Sequence, residues 1–127
     1  MSMKKDIKVL VVDDEEIMRS LFTDILQDEG YSVTTLTNGM EAQERVKVEF
    51  FDIAFIDVHM PVMDGIKTLH VLKELSPKTA IAMTDSMPGD IIEESQKKGA
   101  LTCIRKPFDI KEVRSVISDI TQRSKDG

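Results

Sequence analysis

The stretch Lys8-Val9-Leu10-Val11-Val12-Asp13-Asp14 decides the fold, because it joins a continuous β-branched run to two adjacent carboxylates. An apolar run without polar alternation is typical of a strand that is buried on both faces of a parallel sheet. Three further apolar runs also end at a polar residue, namely at Asp57, Thr84 and Lys106. If the four runs are parallel strands of one sheet, these polar groups gather at one edge of it.

The bulk composition indicates one globular domain. The chain has 127 residues, of which 41% are hydrophobic and 31% charged, as in ordinary soluble domains. No apolar run approaches the ~20 residues of a membrane span, and residues 1–6 lack the apolar stretch of a signal peptide, so we expect a cytoplasmic protein without a membrane partner. The single cysteine, Cys103, fits a reducing compartment. A net charge of -6 argues against direct nucleic-acid binding.

Hydrophobic periodicity alternates between strand and helix five times. Strands are predicted at residues 7–12, 31–36, 53–56, 79–83 and 101–105. Helices are predicted at residues 15–29, from a capping box at Asn38 to Glu49, from Asp64 to Leu75, from about Pro88 to Lys98, and from Asp109 onward. This alternation predicts an α/β fold: a five-stranded parallel sheet of order 2-1-3-4-5, doubly wound with five helices into a flavodoxin-like three-layer sandwich.

The predicted strand order places the ends of strands one and three side by side, which brings Asp13, Asp14 and Asp57 together. Converging carboxylates repel one another, so such a cluster is stable mainly around a cation, and Mg²⁺ is the ion that best fits oxygen ligands of this kind. Lys106 supplies a point charge for a phosphate oxygen, and Thr84 supplies a hydroxyl donor. A carboxylate in this setting can attack phosphorus in line to give an acyl phosphate, and Asp57 is the best nucleophile candidate because the metal would occupy Asp13 and Asp14.

These motifs, taken together and in this order, resemble the receiver (phosphoacceptor) domain of two-component response regulators, and in particular chemotaxis-regulator-like receivers. The resemblance covers residues 6–123, with residues 1–5 and 124–127 as terminal tails. It rests on four segments: Val11-Val12-Asp13-Asp14-Glu15, Asp57-Val58-His59-Met60-Pro61-Val62-Met63-Asp64-Gly65, Met83-Thr84 and Lys106-Pro107-Phe108.

The resemblance implies that Asp57 accepts a phosphoryl group from a histidine kinase or a phosphotransfer protein in a Mg²⁺-dependent reaction. It also implies that Mg²⁺ is held by the side chains of Asp14 and Asp57 and by the backbone carbonyl of His59, with Asp13 contributing through water. The chain would then be no enzyme in the ordinary sense, because it catalyses only its own phosphorylation and dephosphorylation.

The same resemblance assigns roles around the phosphoryl group. Thr84 and Lys106 would contact the phosphoryl oxygens, and a cis Lys106–Pro107 bond is expected to aim the lysine into the site. The change would be transmitted to the face formed by the fourth helix, the fifth strand and the fifth helix, roughly residues 91–98 and 101–122. We predict that an output domain, an effector protein or a second copy of the chain binds there.

Two residues depart from the family pattern. Receivers usually carry Tyr or Phe three residues before the lysine, and its ring swings inward when the threonine moves; here that residue is Cys103. Receivers usually carry a small residue after the threonine, whereas here it is Asp85, which we expect to narrow the entrance and to repel an anionic donor.

The sequence is therefore compatible with three functions. The first is a phosphorylatable signalling receiver. The second is a receiver-like scaffold that binds partners without phosphorylation, for which Cys103 and Asp85 give a motive. The third is a Mg²⁺-dependent phosphohydrolase or a flavodoxin-like cofactor binder, although the acidic loop after strand one disfavours a bound flavin phosphate. His59, two residues after Asp57, either influences water access to the acyl phosphate or is a passive rim residue.

Overall fold

Strands and helices alternate along the whole part of the chain that a computed structural model describes, namely residues 7–85, 90–106 and 108–126. The strands are β1 (Lys8–Val12), β2 (Ser32–Leu36), β3 (Ile53–Asp57), β4 (Ala80–Asp85) and β5 (Thr102–Arg105). The helices are α1 (Glu16–Asp28), α2 (Gly39–Val46), α3 (Gly65–Leu75), α4 (Asp90–Lys97) and α5 (Ile110–Asp126).

All four strand pairs are parallel, and the sheet order is β2-β1-β3-β4-β5. This confirms the predicted order and fold class. The order reverses at the pair of β1 and β3, where Val12 lies opposite Ile56. On the other side of β3, Asp57 lies opposite Thr84. The register therefore brings the carboxyl ends of β1, β3 and β4 to one edge, where this topology places a ligand crevice.

The sheet separates two hydrophobic cores, because successive residues of each strand point to opposite faces. One core combines strand residues such as Leu10 and Ile56 with residues of α2 and α3. The other combines Val11 and Phe55 with residues of α1 and α5, and Phe22 contacts the rings of Phe55 and Phe108. Helix α4 packs against β5. Both faces of the central strands are covered, which explains their unbroken apolar runs.

Helix boundaries follow the predicted capping residues. The side chains of Asn38, Asp64 and Asp109 each accept a hydrogen bond from the backbone N–H three residues later, at 3.0, 2.8 and 2.9 Å. Helix α1 ends at Asp28, and Gly30, which follows the C-cap residue Glu29, has a φ of 90° in the left-handed region. The N–H of Gly30 donates to the carbonyl of Gln27, as in a Schellman motif.

The structure differs from the predicted boundaries at two points. Strand β4 runs on through Thr84 to Asp85, two residues beyond its predicted end. Helix α5 runs to Asp126, so residues 124–126 are helical and not the terminal tail that we predicted. Neither Gly nor Pro interrupts the chain between residues 110 and 126, and polar residues alone do not end a helix.

Three predicted features lie outside the described residues: the start of the fourth helix near Pro88, the cis bond to Pro107, and the N-terminal tail 1–5. Within the described ranges, no helix has both the length and the apolar character that crossing a membrane requires.

Candidate functional site

The end of β1 places Asp13 inside the molecule. Asp13 is buried, its N–H donates to the carbonyl of Leu36 on β2, and its Oδ1 accepts the N–H of Glu15 at 2.9 Å. Asp14 is exposed at the same strand end. The N-cap of α1 is Glu15, so the adjacent aspartates are not a helix cap, although an acidic pair after a strand commonly is one.

The end of β3 places Asp57 beside Asp13. Asp57 is the last residue of β3, and its Oδ1 faces the backbone N–H of His59 at 3.4 Å. Close packing holds this strand end against α3, because a Cβ on Gly65 would lie 2.2 Å from the backbone oxygen of Asp57. Thr84 lies opposite Asp57 in the sheet register and is buried. The predicted acceptor and the predicted hydroxyl therefore end neighbouring strands.

Lys106 directly follows β5, and its side chain extends into the site. Its N–H donates to the carbonyl of Asp85 at 2.8 Å, which fixes the backbone against the end of β4. Its Nζ lies 3.0 Å from Asp13 Oδ2, 3.0 Å from Glu15 Oε1 and 3.4 Å from Asp57 Oδ1. The side chain of Lys106 is only 9% exposed, so its interactions with the buried carboxylates of Asp13 and Asp57 are little screened by solvent.

The three predicted metal-ligating carboxylates converge. Asp13, Asp14 and Asp57 each offer one carboxylate oxygen, and these three oxygens lie within 4.8 Å of one another. Asp13 Oδ2 is buried, and although Lys106 Nζ is near, no hydrogen bond of suitable geometry reaches it. A set of hard oxygen ligands with one buried oxygen lacking a hydrogen bond fits Mg²⁺ chemically.

Electrostatics at the site disfavour a negative charge on Asp57 that no cation balances. Burial, reinforced by the charge of Asp13, raises the pKa of Asp57 from 3.8 to about 6. Burial likewise raises the pKa of Asp13. Burial alone would lower the pKa of Lys106, but its contacts with the carboxylates of Glu15 and Asp13 and the charge of Asp57 outweigh burial and raise it. Lys106 is therefore a permanent cation beside two carboxylates that burial disfavours as anions.

Asp85 is placed differently from our expectation. Its side chain is fully buried and does not line an open entrance, and its Oδ1 lies 3.1 Å from Nε2 of His59. The expectation that Asp85 narrows the entrance is wrong, because β4 continues to this residue and turns its side chain inward. His59 does lie at the rim, with its side chain 61% exposed.

Cys103 lies in β5 beside Met83 of β4 and is half-buried. Burial, together with the charge of Asp85, raises the pKa of the thiol to about 11. The thiolate is the reactive form of cysteine, so this environment opposes reactivity near neutral pH. Cys103 packs against the core on the α2 and α3 side as a small apolar residue.

Two features of the site were missed from the sequence. Glu15 ion-pairs with Lys106 although 91 positions separate them, and nothing local marks such a contact. Val62, in the loop after β3, has a φ of 72°, and the N–H of Met63 donates to the carbonyl of Pro61 at 2.8 Å. This is a γ-turn with a positive central φ, a strained conformation that a β-branched residue disfavours.

The fold and site together define a phosphoryl-acceptor domain of the response-regulator type, and comparison with known proteins agrees. Residues 9–118 match the family model described as "Response regulator receiver domain". The chain is 38% identical to sporulation initiation phosphotransferase F of Bacillus subtilis over 111 residues, which are 87% of this chain and 90% of that protein. The chain belongs to the response regulator receiver domain family, whose role is two-component signal transduction.

Relatives of two other kinds also match. The chain is 33% identical to transcriptional regulatory protein ZraR of Klebsiella oxytoca over 116 residues, which are 91% of this chain but only 26% of that protein. Its fold superposes with a TM-score of 0.86 and 29% identity on a chain of the CheX-CheY-BeF3-Mg+2 complex from Borrelia burgdorferi, covering 91% of this chain and 89% of that one. Receiver domains of this kind thus form nearly all of some proteins and about a quarter of others.

Proposed function

We propose that Asp57 accepts a phosphoryl group and that the chain thereby switches its interactions with a partner or an output domain. The carrying observation is the position of Asp57 at the end of β3, beside the buried carboxylate of Asp13 and the ammonium of Lys106, whose Nζ lies 3.0 Å from Asp13 Oδ2 and 3.4 Å from Asp57 Oδ1. This arrangement presents one carboxylate oxygen to a donor while a fixed cation lies beside it.

The chain's own residues would carry the transfer as follows. A carboxylate oxygen of Asp57 attacks phosphorus, a new O–P bond forms, and the bond from phosphorus to the donor nitrogen breaks as that nitrogen takes up a proton. Lys106 and the hydroxyl of Thr84 donate hydrogen bonds to the phosphoryl oxygens, which balances charge that develops there. Hydrolysis of the acyl phosphate by water returns the free carboxylate, so the only chemistry is the domain's own phosphorylation and dephosphorylation.

Mg²⁺ is the cofactor that the donor set supports. We propose that the side chains of Asp14 and Asp57 and the backbone carbonyl of His59 hold the ion and that Asp13 acts through water. A bound Mg²⁺ would neutralise charge on the phosphoryl oxygens and hold the donor in place. It would also relieve the repulsion between Asp13 and Asp57, which together with burial raises the pKa of Asp57.

The proposed donor is a histidine kinase or a phosphotransfer protein, and the proposed place is the cytoplasm, where a lone thiol such as Cys103 stays reduced. The proposed output surface comprises α4, β5 and α5, because Lys106 directly follows β5 and Thr84 lies in the strand that pairs with β5. An output domain, an effector protein or a second copy of the chain would bind there. The fold match to a chain of the CheX-CheY-BeF3-Mg+2 complex from Borrelia burgdorferi supports an effector protein as a partner.

The test is intact mass after incubation with Mg²⁺ and phosphoramidate. We expect a gain of one phosphoryl group that is lost in Asp57→Asn and retained in Asp28→Asn, a matched change at an exposed aspartate of α1. The gain should also disappear when EDTA removes the metal.

The same experiment decides between this proposal and the scaffold interpretation. Cys103 favours the scaffold interpretation, because it stands where receivers usually carry an aromatic ring. Absence of any mass gain, even with a phosphohistidine protein as donor, would reject phosphorylation and support a phosphorylation-independent scaffold. Turnover of an external phosphate ester by the wild-type chain would instead support a phosphohydrolase.

A further inference from the structure

Glu15 has an unusual arrangement for a residue that begins a helix. It occupies the N-cap of α1, yet its side chain accepts no hydrogen bond from the first turn of that helix. Its carboxylate lies instead 3.0 Å from Nζ of Lys106, and it is 60% exposed whereas the lysine is 9% exposed. The contact joins the start of α1 to the residue after β5, whose Nζ lies 3.4 Å from Asp57 Oδ1.

Lys106 faces three carboxylates and has three N–H donors to offer them. Asp13 and Glu15 are both at 3.0 Å, and Asp57 is the farthest at 3.4 Å. A phosphoryl group on Asp57 would add about -1.5 to -2 of charge and three strong acceptor oxygens. The ammonium must then give up part of an existing contact. Of its contacts with Asp13 and Glu15, both at 3.0 Å, the one with Glu15 is weaker, because Glu15 is exposed and water can replace it.

We propose that Glu15 is a positioning residue that holds Lys106 in its resting arrangement and competes with the incoming phosphoryl group for the ammonium. This inference rests on the proposed function at Asp57 and adds to it a residue that sets the rate of phosphorylation. The competition acts through a contact that spans 91 positions of sequence and that only the folded chain creates.

The experiment measures the rate of phosphorylation by phosphoramidate at saturating Mg²⁺ and low ionic strength. Glu15→Gln removes the charge, and Glu15→Asp keeps the charge on a side chain that is one methylene shorter. Glu16→Gln is the matched control, because Glu16 is exposed, carries the same charge and is the next residue in the chain. Urea unfolding of each variant checks that the fold is unchanged.

We expect Glu15→Gln to be phosphorylated about two- to fivefold faster than wild type, the range that corresponds to an exposed ion pair. Glu15→Asp should also be faster, since the shorter side chain no longer reaches Lys106, and Glu16→Gln should match wild type. Raising the ionic strength should reduce the differences, because salt screens an exposed pair and would not alter a purely structural effect.

Contrary results are easy to recognise. Glu15→Asp behaving as wild type while Glu15→Gln is faster would indicate a general effect of charge and would overturn the positioning role. Equal or slower rates for both Glu15 variants would overturn it as well. If wild type itself gains no phosphoryl group, the proposed function fails and this inference fails with it, a result that differs from equal rates in chains that are all phosphorylated.

Discussion

Removing the charge of Asp57 should stabilise the metal-free protein near neutral pH. Asp57→Asn keeps the shape of the side chain and abolishes the anion that burial disfavours. Burial and the charge of Asp13 raise the pKa of Asp57 from 3.8 to about 6. A difference of this size corresponds to about 3 kcal/mol, at about 1.4 kcal/mol per pH unit, and we expect about 1 to 3 kcal/mol because the loss of the ion pair with Lys106 and local relaxation reduce it.

The pH dependence follows from the sign of the shift. A carboxyl group whose pKa is raised by folding contributes full stability where it is protonated in both states, below its unfolded pKa near 3.8. It loses that stability as pH rises through its folded pKa of about 6. The advantage of Asp57→Asn should therefore be small near pH 4, grow between pH 4 and pH 6, and stay constant above that range.

The assay is urea unfolding in EDTA at a series of pH values, followed by circular dichroism. Asp28→Asn, at an exposed position of α1, serves as the control for a simple change of net charge. Adding Mg²⁺ should stabilise wild type more than Asp57→Asn, because the ion binds the native carboxylates. A variant that is no more stable than wild type at pH 8, or an advantage that does not change with pH, would refute the electrostatic reasoning.

Three further changes test other parts of the structure. Val62→Gly should raise the free energy of unfolding by about 1 kcal/mol, because it relieves a φ of 72° at a side chain that is 80% exposed, and a lower urea midpoint would contradict this. Gly39→Ala should lower the free energy of unfolding by about 1–3 kcal/mol, because the new Cβ would lie 2.1 Å from Thr68 Oγ1. Adding Thr68→Ala should restore part of this loss, and a double variant as unstable as Gly39→Ala alone would argue against the clash. Asp85→Ala should be phosphorylated faster than wild type by acetyl phosphate at matched Mg²⁺, because it removes a buried carboxylate directly after Thr84 that would repel an anionic donor; equal rates would reject this.

The topology was predictable because it depends on local patterns that repeat along the chain. Unbroken apolar runs predict strands that are buried on both faces, and the capping residues Asn38, Asp64 and Asp109 mark helix starts through hydrogen bonds to residues three positions away. Once the strand order follows from topology, Asp13 and Asp57 must meet, whatever the conformations of the loops. The candidate site was predictable to the same extent, because each of its predicted residues lies at or next to the carboxyl end of a strand.

What could not be predicted depends on contacts between distant loops. Val62 adopts a backbone conformation that its own side chain disfavours, so local preference argues against the observed turn. The sequence predicts that Asp85 is a polar residue after a strand. In the structure Asp85 pairs with Arg105, so β4 extends to Asp85, whose side chain is buried. The contact of Asp85 with His59 and the ion pair of Glu15 with Lys106 each join separate segments that no sequence pattern pairs.

These unpredicted contacts bear on how phosphorylation would change the surface. Thr84 and Asp85 are consecutive in β4, so their side chains leave opposite faces of the sheet. Any displacement of Thr84 toward the acceptor must carry the backbone of Asp85 with it, and Asp85 is tied to His59 in the loop after β3. Cys103, in the neighbouring strand β5, lies on the same face of the sheet as Asp85, and it has no ring that could change position. Movement at the end of β4 is therefore opposed by the contact between Asp85 and His59, and we expect coupling to α4 to depend on that contact more than on the residue at position 103.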